Sequence, residues 1–86
     1  MDYPQELDIV LTNDKVNKAS SYNDTRRCPL AEEFRRIFPE EVIVSGASFV
    51  DVGEKYYCLI TPFTFERYMA LKMGSIKEFK TKATLS

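Results

Sequence analysis

The sequence predicts a small α+β domain: an antiparallel sheet of about five strands, with two main helices and one short helix on one face, in the order β-α-α-β-β-β-α-β. Three observations carry that prediction. Two segments open with proline and place apolar residues at helical spacing, and short alternating runs are separated by glycine-bearing turns. Each helical segment has a single apolar stripe, which one sheet face can cover. With 86 residues, 44% hydrophobic and 13% aromatic, the chain has enough apolar surface for one core, so a single domain over 1–86 is expected.

The elements follow in order. Leu7, Ile9 and Leu11 alternate with Asp8, Val10 and Thr12, the pattern of a half-buried strand. Next, Thr12 or Asn13 can cap a short helix, with Asp14 at its positive end and Val16 and Ala19 on its apolar side. Ser20 to Arg27 is polar and reads as a loop. In "CPLAEEFRRIFP", Pro29 suits the first helical position, and Leu30, Ala31, Phe34, Ile37 and Phe38 share one face. Glu32, Glu33, Arg35 and Arg36 cover the other face, with Glu32 and Arg36 spaced for an i,i+4 ion pair, and Pro39 ends the helix.

Three short strands come next, Val42 to Ser45, Ser48 to Val52 and Tyr56 to Ile60, joined by turns at Gly46 and at Gly53 to Lys55. In "TPFTFERYMALKMG", Thr61 caps a helix, Pro62 fills its first turn and Gly74 ends it. Phe65, Tyr68, Met69 and Lys72 keep helical spacing, and Met69 and Met73 read as core filler. The last strand sets Phe79, Thr81, Ala83 and Leu85 against Glu78, Lys80, Lys82 and Thr84.

Composition excludes much chemistry. The chain has no histidine, so it lacks the commonest general base and transition-metal ligand. Cys28 and Cys58 are too few for a disulfide framework or a four-cysteine zinc site. The acidic residues show no calcium-loop spacing. No enzyme activity, metal or cofactor is expected. No apolar run approaches a membrane span and no signal-type apolar region follows Met1, so the cytoplasm is the expected compartment and no membrane partner is expected.

Formal net charge is −1, but the charge is uneven along the chain. Residues 1–60 hold 7 basic and 11 acidic residues, a net of −4, whereas residues 61–86 hold 5 and 2, a net of +3. Lys77, Lys80 and Lys82 in the last strand are therefore candidates for nucleic-acid contact, against the plainer reading that lysines guard a strand edge.

A second candidate is the stretch before the first main helix. Arg26 and Arg27 directly precede Cys28, where free backbone amides and the helix dipole favour a phosphate or carboxylate. Tyr22, in the preceding loop, could stack on a base or ring. Cys28 sits where thiol reactivity rises, but without a histidine it has no base partner, and its plainer role is a small half-buried cap residue. Arg26 and Arg27 could equally be solvated, or paired with Asp24, Glu32 or Glu33.

"DIVLTNDKV", "CPLAEEFRR" and "ITPFTFERYMALKMGSIKEFKTKATL" together resemble small phage and plasmid proteins that carry a Cys-Pro-x-Ala helix and close with a Pro-started helix, a Gly and a strand. Cys28, Pro29, Ala31 and the Arg35–Arg36 pair fit that pattern, while the last strand lacks its proline before Phe79. The resemblance implies a mobile-element protein in the host cytoplasm and brings no activity with it. By analogy, such a protein inhibits a host process, plausibly antiviral defence, by binding a host protein or by sequestering a phosphate-bearing nucleotide signal. A homo-oligomer is expected, because a chain this small gains ligand-enclosing surface by self-association. The alternative is a nucleic-acid-binding accessory protein using the basic last strand.

Overall fold

The structure is a computed structural model that describes residues 3–19 and 21–86; Ser20 of the expected loop and Met1 lie outside them. Its elements are β1 (Glu6–Thr12), α1 (Asn13–Lys18), α2 (Pro29–Ile37), β2 (Ile43–Ser45), β3 (Phe49–Val52), β4 (Lys55–Leu59), α3 (Phe65–Lys72) and β5 (Glu78–Leu85). The expected order of elements is reproduced. The five strands form one antiparallel sheet in the order β1-β5-β4-β3-β2. Thus the first and last strands pair along their full length, from Glu6 opposite Thr84 to Thr12 opposite Glu78.

Alternation decides what each face holds. Ile9, Leu11, Val50, Val52, Tyr57, Leu59, Phe79 and Ala83 point inward and are buried. Helices α1, α2 and α3 cover this face. From α2 come Leu30, Ala31 and Phe34, all at most 1% exposed, with Phe38 just beyond. Tyr57 lies at the centre, its ring 5.8 Å from Phe34 and 5.9 Å from Phe38. Its hydroxyl donates to the Pro4 carbonyl at 2.7 Å, which gives the buried phenol its polar partner.

The turns follow their glycines. Gly53 and Glu54 join β3 to β4 with Val52 opposite Lys55, and Gly53 takes φ +61°, the first central position of a tight hairpin turn. Gly74, at φ +79°, closes α3 in a Schellman arrangement: Ser75 N–H donates to Ala70 O and Gly74 N–H to Leu71 O.

Three expectations are corrected, the first being Met73, expected as core filler but 72% exposed at the end of α3. Thr64, not Thr61, caps α3, its hydroxyl accepting from the Arg67 amide at 3.3 Å. Phe63 is the reason. It is 2% exposed, and its N–H donates to the Ala47 carbonyl, so the chain stays extended through Pro62 until Phe63 is buried. On α2, Glu32 pairs with Arg35 and Glu33 with Arg36, both at i,i+3 rather than Glu32 with Arg36. Glu33 also takes Lys15 of α1 at 3.0 Å, which ties the two helices together.

Candidate functional site

The stretch before α2 is a tight, internally bonded loop. The Asp24 side chain accepts from the Arg26 and Arg27 amides at 2.9 and 3.1 Å, and its carbonyl accepts from the Arg27 and Cys28 amides at 3.1 and 2.8 Å. Pro29 has no N–H, and the Ala31 amide donates to Cys28 Sγ at 3.4 Å. The amides that sequence reasoning reserved for an anion are therefore largely committed within the loop. Any anion here meets side chains instead.

Those side chains converge. Lys18 from the end of α1, Arg26 and Arg27 from the loop, and Glu32 and Arg35 from α2 line one open cleft. Arg35 grips Glu32 and also donates to the Arg26 carbonyl, which fixes the wall between loop and helix. Lys18, Arg26 and Arg27 form no ion pair with any described carboxylate. The cleft thus carries four cations against one carboxylate. Lys18 and Arg35 were not among the sequence-derived candidates, because they are eight or more positions from Arg26 and only the α1–α2 packing brings them beside it.

Tyr22 and Cys28 belong to a different concavity. Tyr22 packs among Phe63, Phe65 and Tyr68, with ring centroids 5.9, 5.4 and 5.2 Å away, and its hydroxyl donates to the Phe63 carbonyl at 3.0 Å. Burial pushes its phenol above the ordinary tyrosine range. The expected stacking partner is therefore part of the core margin, tied down by aromatic neighbours. Cys28 is buried, with Sγ 2.7 Å from Ser45 Oγ, and that hydroxyl lies 3.3 Å from the Thr25 carbonyl. Cys58 is exposed on the other side of the sheet, so the two thiols do not meet.

The basic last strand looks different in space than in sequence. Lys80 and Lys82 project from the uncovered sheet face, where Glu78 lies 3.3 Å from Lys80 and Glu6 lies 3.8 Å from Lys82. Asp8 stands directly opposite Lys82 in the register. Lys77 is exposed just before β5. The acidic strand β1 thus offsets the charge of β5, and the long-range attraction needed for a phosphate backbone is weak.

Fold and site define a two-layer α+β protein with a cationic cleft at one end of its helical layer. No family model, curated protein or solved structure matches the chain. Among the described residues, no helix is long and apolar enough to cross a membrane.

Proposed function

We propose that this is a non-catalytic binding protein that holds a phosphate-bearing ligand of nucleotide type in the Lys18–Arg26–Arg27–Arg35 cleft. In the mobile-element setting suggested by the sequence resemblance, sequestering such a signal would block a host defence process. One observation carries the reading: four cations converge on one cleft, and three of them have no carboxylate partner among the described residues. Exposed like charges repel, and a multiply charged anion relieves that repulsion while accepting the planar donors of the arginines.

The test is calorimetric titration with pyrophosphate and ADP at low salt, on the wild-type protein and on Arg26→Gln/Arg27→Gln. Charge-assisted hydrogen bonds contribute roughly 1.5–3 kcal/mol each, so the double variant should bind at least about tenfold more weakly with an unchanged melting temperature. Equal affinity of the two proteins, or no binding of either anion, sinks the reading.

A second reading, inhibition by contact with a host protein, is favoured by the uncovered sheet face. Ile60 is 68% exposed there, and Phe49 and Tyr56 are each 43% exposed. Ile60→Asp would abolish capture of a host protein under that reading and leave anion binding untouched.

A further inference from the structure

A second concavity lies between the 21–27 loop, the end of β2 and Phe63, and the anion reading makes no use of it. Its volume is about 190 Å³. An apolar cavity of ~150 Å³ takes a benzene ring, whereas sites for drug-sized ligands begin near ~300 Å³. The space is therefore of single-ring to fused-ring size and too small for a whole nucleotide.

Its walls say which ring. Tyr22 gives the cleft its accessible aromatic wall, with Phe63, 5.9 Å away at 56°, and Leu30 buried behind it. On the floor, Cys28 Sγ and Ser45 Oγ are already bonded to each other, to the Ala31 amide and to the Thr25 carbonyl. Among the described residues, no buried side-chain nitrogen or oxygen lacks a hydrogen-bond partner, so nothing on the floor calls for a charged ligand. At the mouth, the Asn23 side-chain amide and the Thr25 hydroxyl form no hydrogen bond to any described residue. They can serve the polar edge of a ring lying against the aromatic wall.

We propose that this cleft binds a small, neutral, flat aromatic molecule with one hydrogen-bonding edge, of the size of indole or phenol, independently of the anion cleft. The independence follows from the linings, which share no residue.

The probe is indole, titrated into the isotope-labelled protein by NMR. Saturable shifts centred on Tyr22, Ser45, Ala47 and Phe63 are expected, and saturating inorganic phosphate should leave them in place. Ala47 is exposed at the rim, so Ala47→Leu fills the mouth without disturbing the core and should weaken indole at least tenfold. Thr25→Val removes one of the two polar groups at the mouth and should narrow the preference for indole over benzene, and Asn23→Ala/Thr25→Val should erase it; an unchanged preference in the double variant overturns the placement of the polar edge. No saturable shift up to the solubility limit of indole, unchanged affinity in Ala47→Leu, or displacement by phosphate each overturns the proposal. Displacement would place the ring in the cationic cleft, whereas loss of anion binding alone would leave this inference standing.

Discussion

Cys28 offers the sharpest test of the structural reasoning, because the structure gives its sulfur a polar job in a buried place. It is 5% exposed, caps α2 through the Ala31 amide at 3.4 Å, and touches Ser45 Oγ at 2.7 Å. Cys28→Ala removes the cap, a loss of about 1 kcal/mol. It also deletes buried side-chain volume, but Ser45 keeps the Thr25 carbonyl at 3.3 Å, so no full desolvation penalty follows. A total near 1.5 kcal/mol lowers the melting temperature by roughly 6–12 °C in a domain of this size. Cys28→Ser replaces the thiol with a hydroxyl that caps well and can bond Ser45, so its cost should stay below about 1 kcal/mol. Urea denaturation followed by circular dichroism reads both, with Cm compared at constant m. If Cys28→Ser proves the less stable variant, the site rewards an apolar sulfur and the hydrogen-bonding account is wrong.

Other outcomes follow from particular contacts. Thr64→Ala should cost about 1 kcal/mol while Thr61→Ala stays within about 0.5 kcal/mol, because only Thr64 caps α3; equal losses in thermal melts would contradict the observed helix start. Gly53→Ala should destabilise more than Gly74→Ala although both glycines have positive φ, because an added Cβ at Gly53 displaces the Glu41 carboxylate that accepts from the Tyr3 hydroxyl, whereas at Gly74 it meets open space. A reversed order in denaturant midpoints would refute that. Burial raises the Tyr57 phenol above its ordinary value. The folded state therefore holds this proton more tightly than the unfolded one, so the contribution is complete below pH ~10 and is lost as pH climbs through the raised value. Tyr57→Phe should flatten the alkaline fall in stability, and an unchanged slope would show that other groups govern it.

Most of the fold was legible because local signals agreed with one another. Pro29 and Pro39 bracket α2, Gly53 and Gly74 take positive φ at the two turns that need it, and strict alternation marks β5. The start of α3 was misread for a physical reason. Thr61-Pro62 and Thr64-Phe65 are both acceptable helix starts locally, and only the burial of Phe63 against Tyr22, Tyr68 and Phe79 chooses the second. The candidate site was half legible: Arg26 and Arg27 were visible as a pair, but their companions Lys18 and Arg35 come from helices whose packing the sequence does not state. Tyr22 carried no sign that its ring would be held by three aromatic neighbours.

Charge makes the same point about the limits of linear reading. The basic last third of the sequence suggested a basic surface, yet β5 pairs with β1, the strand that carries Glu6 and Asp8. Two opposite linear excesses are brought side by side and meet at Lys82, which faces Glu6 and Asp8, while Lys80 pairs with Glu78 of its own strand. At the other end of the molecule the reverse occurs. Residues 13–37 hold six basic and four acidic residues, a net of +2, and the fold concentrates that excess: Glu33 is taken by Lys15 and Arg36, and Glu32 by Arg35. With Glu32 and Glu33 spent inside the helical layer and Asp24 on backbone amides, Lys18, Arg26 and Arg27 keep an excess that no described acid pairs with. An anion-binding surface is therefore set by which charges the fold has already matched, and in this protein that places it on the helices rather than on the lysine-bearing strand.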